Sequence, residues 1–283
     1  MIMKNININA FADEASPFID GQIKAMLENG VSGLEIRNVD NINISDISAQ
    51  KAKEVREKTD GAGLKVWSIG SPIGKIDIEN DDFGAEKEKL KRTLETADIL
   101  GAKNIRLFSF YIPDGKNAAD YKNEVISRLG EFLEIAKDSG IDLCHENEKG
   151  IYGAKAKECL EIHRALPEMK GIFDPANFVQ CGQDTLEAWD MLGGYIKYMH
   201  IKDALADGRV VPAGKGDGNV EKIVSKFISL GGCDFTIEPH LTVFNGLSGL
   251  EKDGNTSEVG TLYSYPSEEA AFKAAVDAFK NLI

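Results

Sequence analysis

The feature that most restricts this chain is a unit repeated along it: a helical stretch closed by glycine, then at once a short β-rich run. Gly30 precedes Gly33-Leu34-Glu35-Ile36, and Gly63 precedes Leu64-Lys65-Val66-Trp67-Ser68-Ile69. Gly101 precedes Asn104-Ile105-Arg106-Leu107-Phe108, and Gly140 precedes Ile141-Asp142-Leu143-Cys144. These glycines stand 33, 38 and 39 residues apart. Glycine after a helix supplies the left-handed closing residue without steric cost. Between the glycines, apolar side chains return with helical period, as in Val125, Leu129, Phe132 and Ala136, or Leu90, Leu94 and Ala97. Ser16-Pro17 reads as an N-cap and first helical residue. The unit continues through Ile172-Phe173, Tyr195 to Ile201 and Phe235-Thr236-Ile237. With Asn5 to Asn9 counted first, there are eight strand candidates, seven connecting helices and a final helix near Ser267 to Asn281.

Strict alternation of strand and helix makes a parallel sheet. Eight units close it into an α/β (β/α)8 TIM barrel, for which about 250 residues is typical. The 283 residues read as a single barrel domain, 1–283, with a long loop 241–266 after strand eight. A doubly wound nucleotide-binding sheet would need GxGxxG at its first βα turn, and Ala10 to Pro17 holds no glycine. The loop is Gly-rich and without periodicity, which leaves a lid over the site or a homo-oligomer contact as its readings.

Charge narrows the partners. Lys and Arg number 33 against 46 Asp and Glu, a net charge of −13. That speaks against a phosphate-backbone binder and against an anionic membrane surface. No run of 18 apolar residues occurs. Met1 to Ala10 alternates Ile with Asn and lacks a signal peptide's apolar block. The four cysteines, Cys144, Cys159, Cys181 and Cys233, include no CxxC and read as reduced thiols. The expectation is a cytoplasmic protein with neither nucleic-acid nor membrane partner.

Barrel active sites lie at the C-terminal ends of the strands. Strand one ends in Asp13-Glu14, strand two in Glu35-Ile36-Arg37, and strand three in Ser68 to Pro72 with Lys75 nearby. Strand four ends in Phe108 to Tyr111, and strand five in His145-Glu146-Asn147. Asp174 ends strand six, with Asn177 following; His200-Ile201-Lys202-Asp203 ends strand seven and Glu238-Pro239-His240 strand eight. Polar strand ends often do no more than meet solvent. Here, however, four consecutive ends carry Glu146, Asp174, His200 and Glu238, separated by 28, 26 and 38 residues. Three carboxylates and an imidazole suit one divalent metal ion, Mn²⁺ first, with Mg²⁺, Co²⁺ or Zn²⁺ as alternatives. Period-two alternation sets Asp142, Cys144 and Glu146 on one face, as it does Tyr198, His200 and Lys202, and Thr236 and Glu238.

These residues resemble the xylose-isomerase-like barrels, specifically the sugar phosphate isomerase/epimerase group that includes ketose 3-epimerases, hydroxypyruvate isomerases and inosose dehydratases. The resemblance runs from Phe11-Ala12-Asp13-Glu14 through Leu34-Glu35-Ile36-Arg37 to Ile237-Glu238-Pro239-His240. Its most specific elements are Glu146-Asn147, Phe173-Asp174 and His200-Ile201-Lys202-Asp203. It implies that Glu146, Asp174, His200 and Glu238 hold one divalent metal, and that Glu146 and Glu238 double as the acid/base pair. The ketose epimerases carry a His where this chain has Asn177, and an Arg where it has Ala206, with Arg209 nearby but out of register. Both residues contact sugar hydroxyls there, so the departure bears on ketose 3-epimerisation and leaves the metal quartet untouched.

The expected function is a divalent-metal-dependent isomerase or epimerase of a small sugar, ketose or keto acid. It would act by proton abstraction beside a carbonyl through a metal-stabilised enediolate. The alternative is a lyase dehydrating a ketocyclitol or keto sugar on the same scaffold. Apurinic-site endonucleases share the fold but use a three-zinc, His-rich site and a basic face; four histidines and a charge of −13 speak against them. A non-catalytic metal or sugar binder is the remaining class.

The expected substrate contacts are Lys202, Asn177, His240, Glu35, Arg37, Trp67 and Glu14. Most have a plainer reading. Lys202 would pair with Asp203 or another mouth carboxylate, Glu35 with Arg37, and His240 would be a loop histidine. Trp67 would be a core aromatic, and Asp13-Glu14 a helix-terminal acidic pair. His145 has the wrong parity for the mouth, and His163 is expected at the surface. Pro212 to Gly218 reads as a backbone phosphate cradle or as a flexible loop capped by Asp217.

Overall fold

The computed structural model describes residues 6–247, 258–260 and 262–283. The strand candidates form one closed barrel: β1 (Asn7–Ala10), β2 (Gly33–Ile36), β3 (Lys65–Ile69), β4 (Asn104–Leu107), β5 (Asp142–Glu146), β6 (Lys170–Phe173), β7 (Ile196–Ile201) and β8 (Asp234–Ile237). Every neighbouring pair is parallel, and β1 pairs with both β2 and β8 to close the ring.

The connecting helices are α1 (Ile19–Glu28), α2 (Ala49–Gly61), α3 (Phe83–Leu100), α4 (Lys122–Ala136), α5 (Ala156–Ala165), the short α6 (Pro175–Gln180), α7 (Thr185–Leu192) and α8 (Val220–Ser229). Helix α9 (Glu268–Lys280) ends the set, started by the Ser267 side chain accepting from Ala270 N–H. The four unit-closing glycines, 30, 63, 101 and 140, all have positive φ, between 59° and 75°. The N-cap reading of Ser16-Pro17 needs correction. Helix α1 starts at Ile19 after Phe18, because Asp40 Oδ1 accepts the Ile19 N–H while Ser16 Oγ accepts that of Phe18.

Alternation along the strands sorts side chains into two layers. Leu34, Leu143, Met199, Ile201, Phe235 and Ile237 point outward and are buried beneath the helices. Cys144, Ile172 and Tyr198 point inward and form an apolar floor inside the barrel. The ionic residues of the strand ends lie above that floor.

Two sequence expectations fail here. Trp67 does not reach the mouth. Glu35 aligns with Ser68 although Leu34 aligns with Val66, so Trp67 is the extra residue of a β-bulge. A bulge turns consecutive side chains to one side. Trp67 therefore packs edge-on against Tyr198 at 6.1 Å, while Ser68 Oγ reaches Glu35 Oε1 at 3.3 Å. Trp67 lines a cleft at the opposite, N-terminal end of the strands, with Asn9, Lys65 and Lys103.

His163 is not at the surface: it is buried on α5, stacked on Tyr195 at 5.2 Å, and donates from Nδ1 to Met169 O. His145 points outward from the barrel, as its parity requires, and its Nε2 meets Ser109 Oγ at 2.9 Å. Of the loop 241–266, residues 248–257 and 261 lie outside the described residues. Its first part returns to the barrel, burying Leu241 and Phe244.

Burial pushes the His163 pKa down from 6.5 to about 4. The unfolded chain then binds the proton first, so stability falls as pH drops from 6.5 toward 4. His163 alone should cost about 3 kcal/mol by pH 4. Urea unfolding of His163→Phe across this range should show a shallower pH slope than wild type; an unchanged slope would exclude His163 as its source.

Candidate metal centre

Glu146 ends β5, His200 lies in β7, Asp174 follows β6 and Glu238 follows β8. One donor atom from each lies within 4.8 Å of the others, and all four residues are buried. The second polar atom of each ligand is tied down elsewhere, and this fixes which atom faces the common point. Glu146 Oε2 accepts from Arg106 Nη1 at 3.2 Å, leaving Oε1 to face His200 Nδ1 at 2.8 Å. Asp174 Oδ1 accepts the Asn177 N–H at 3.0 Å, as the N-cap of α6, and leaves Oδ2. Glu238 Oε1 accepts from Arg37 Nη1 at 3.2 Å, and Oε2 lies 3.7 Å from His200 Nδ1. His200 Nε2 faces Glu35 Oε2 at 3.2 Å. In a neutral imidazole Nε2–H donates to that carboxylate and Nδ1 keeps its lone pair for a metal, the usual carboxylate–histidine–metal relay.

The charge balance fits a cation. Six carboxylates, Asp13, Glu14, Glu35, Glu146, Asp174 and Glu238, are buried here, against the cations Arg37, Arg106 and Lys202 and the imidazole of His200. Unpaired buried charge costs several kcal/mol per ion. Burial, with Glu238 and Glu146 nearby, pushes the Asp174 carboxyl up despite Lys202. Burial also pushes Glu238 up, but Lys202, His240, His200 and Arg37 outweigh it and hold Glu238 well below the usual carboxylate range. Burial pushes His200 down, and Glu146 and Glu35 more than reverse it, to about 10. Three carboxylate oxygens and one imidazole nitrogen form a donor set for a hard or borderline divalent ion. Glu14, Glu238 and His240 converge as a second group. There the Arg37 guanidinium already holds both carboxylates, Glu14 Oε1 at 3.1 Å and Glu238 Oε1 at 3.2 Å.

The remaining expected contacts fall around this centre. Glu35 and Arg37 do not pair with each other. Glu35 holds His200 and the Tyr198 hydroxyl, while Arg37 makes a two-pronged bond to Asp13 and also reaches Glu14. Lys202 pairs with Asp174 and Glu238 rather than with Asp203. Asp203 instead accepts N–H groups from Ala204, Gly214, Gly216 and Gly218, so the glycine-rich segment cradles this side chain. Asp217 does not cap α8; Asn219 precedes that helix and Asp217 Oδ2 accepts the Ala206 N–H. Asn177 donates its side chain to Asn147 O. His240, at φ +44°, has its N–H on Glu14 Oε2 and its Nδ1 2.9 Å from Glu14 Oε1.

The sequence reading missed Arg106 and Phe244, and named Asn147 without giving it a role. Arg106 ties Glu146 from the middle of β4; the alternation of Asn104 and Arg106 with Ile105 and Leu107 was its available signal. Asn147 exchanges two hydrogen bonds with the Asp174 backbone, clamping the β5 end to the β6 end. Phe244 covers Arg37, whose guanidinium carbon lies 5.2 Å from the ring centre, and no periodicity marks it.

Comparison with known proteins agrees with this architecture. The profile of the xylose isomerase-like TIM barrel family matches residues 23–254. The 2-oxo-tetronate isomerase of Haemophilus influenzae is 24% identical over 229 residues, 73% of this chain and 84% of that protein. The uncharacterized protein YihM of Escherichia coli is 22% identical over 187 residues, 63% of this chain but only 53% of YihM's length. Among solved structures, the IOLI protein with a bound zinc atom superposes with a TM-score of 0.74 at 16% identity, covering 98% of each chain. A xylose isomerase-like TIM barrel protein from Mycobacterium smegmatis in complex with magnesium gives 0.70 at 16% identity, covering 99% of this chain and 97% of that one. At such identities these structures establish the fold.

After Mn²⁺ loading and desalting, elemental mass spectrometry should find about one metal per chain in the wild type and loss of it in Asp174→Asn. Glu35→Ala, which touches no metal, should weaken Mn²⁺ binding about 10–100-fold by releasing His200. Unchanged affinity in that variant would remove Glu35 from the centre.

Proposed function

The chain belongs to the xylose isomerase-like TIM barrel family, and we propose that it is a divalent-metal-dependent isomerase or epimerase of a small sugar, ketose or keto acid, with Mn²⁺ as its resident ion. The observation that carries this reading is the placement of Glu146 and Glu238. Each has one oxygen bound outward, to Arg106 or Arg37, and the other turned toward the same point. Two carboxylates on either side of a substrate carbon can remove a proton beside a carbonyl and return one. The relative named as an isomerase agrees with this chemistry.

A divalent cation held by Glu146, Asp174, His200 and Glu238 supplies Lewis acidity toward carbonyl and hydroxyl oxygens. The chain's own residues supply the rest. Glu146 and Glu238 are the acid/base pair. Arg106 lies 3.2 Å from Glu146 and 3.9 Å from Glu238, and so sets their spacing. Glu35 fixes the His200 tautomer, and Arg37 is itself fixed by Asp13 and Glu14. These, with Asn177, are positioning residues. Lys202, 2.8 Å from Glu238, and His240 are the side chains assigned to substrate oxygens. The described part of the 241–266 loop closes over Arg37 through Phe244 and shields the ionic layer from water.

A panel of ketoses and keto acids incubated with the Mn²⁺-loaded protein in D₂O should yield one substrate that gains deuterium at the carbon beside its carbonyl. Glu146→Gln and Glu238→Gln, shown to retain metal, should slow that exchange about 10²–10⁴-fold. Near-full turnover in both would rule out the pair. A product lighter by one water would reassign the same proton abstraction to a dehydratase.

A further inference from the structure

Among the described residues, Lys202 is the one lysine or arginine that touches the metal-facing atoms themselves. Arg106 and Arg37 bind Glu146 Oε2 and Glu238 Oε1, the atoms turned away from the common point. Lys202 Nζ instead lies 2.9 Å from Asp174 Oδ2 and 2.8 Å from Glu238 Oε2, the two oxygens left to face a cation. The side chain is only 5% exposed. It stands two residues after His200, so strand alternation aims it into the same centre.

We propose that Lys202 is a resident counter-ion of this centre: it neutralises Asp174 and Glu238 in the metal-free protein and gives up both oxygens when a divalent cation binds. The inference rests on the metal reading above and extends it to a moving part. An ammonium and a dication sharing two oxygens in a buried, low-dielectric site repel strongly. The arginines need not move, because their contacts are to the outward oxygens. Loading thus rearranges one side chain and leaves the anchors in place.

Two measurements on the full-length protein test this. Mn²⁺ affinity is read by competition with a metal-sensitive indicator for wild type and Lys202→Met. Lysine acylation is followed by mass spectrometry in wild-type protein with and without Mn²⁺, with the exposed Lys24 as reference. Lys202→Met should bind Mn²⁺ about tenfold tighter or more, because the competing charge is gone. In wild type, acylation of Lys202 should speed up about fivefold or more on loading, as an ion pair opens, while Lys24 stays constant. Equal or weaker binding by the variant would overturn the proposal. So would tighter binding with Lys202 acylation unchanged, since the ammonium would then act by charge without moving. If Lys202→Met does not fold, the wild-type acylation decides alone. Failure of wild type to bind Mn²⁺ at all would instead sink the metal centre itself.

Discussion

Each of the four converging side chains is held by its far atom, and the rest of the barrel mouth is arranged around that constraint. A lone carboxylate rotates, and its two oxygens are equivalent. Binding one oxygen to a fixed donor makes the other a directed one. The donors come from separate places: Arg106 from β4, Arg37 from just past β2, and the Asn177 backbone from the first turn of α6. Glu35 in β2 does the same for the imidazole. Ion pairs buried in this way are individually poor sources of stability, because desolvation offsets attraction. Removing any one partner leaves its mate charged and dry. The network therefore works as a positioning device, and its members depend on one another more than on water.

The closed parallel barrel is what makes such a layer tolerable. Period-two alternation sends Leu, Ile, Val and Phe outward under the helices and releases the inward positions for another role. Low in the barrel those positions are filled by Cys144, Ile172, Tyr198 and Trp67. Higher up they are ionic. The Tyr198 hydroxyl joins the two layers by donating to Glu35 Oε1 at 2.8 Å, so the floor also fixes the residue that orients His200.

How much of this was legible follows from range. The eight strands, their glycine stops and the outward faces are set within a few residues, and the sequence pattern shows them directly. The convergence of Glu146, Asp174, His200 and Glu238 was legible too, because one such residue per strand end repeats with the βα unit. Partner choice was not. Arg37 stands two residues from Glu35, yet Arg37 turns to Asp13 and Glu35 to His200, 165 positions away in the chain. Trp67 carried two readings, a substrate contact and a core aromatic, and the one-residue bulge that aligns Glu35 with Ser68 leaves it in the core against Tyr198. His163 stands four residues after Cys159 on the buried face of α5, with Ala156 and Ile162, a helical stripe that the surface reading passed over. The aromatic face of Tyr195 and the Met169 carbonyl complete its buried seat.

The segment Pro212 to Gly218 shows how one such contact can redirect a functional argument. Successive glycine N–H groups form the kind of concavity that binds phosphate. Three of those N–H groups, from Gly214, Gly216 and Gly218, converge on the Asp203 carboxylate instead. A Cβ on Gly216 or Gly218 would fall 2.4 Å or 2.6 Å from Asp203 Oδ1, so the glycines are required by the chain's own anion. The nest is filled from within, one residue after Lys202. It pins the strand end from which Lys202 projects and withdraws Asp203 as a partner for that lysine. The ammonium is thereby left to the oxygens of Asp174 and Glu238, and the anion nest becomes part of the support of the four-residue cluster.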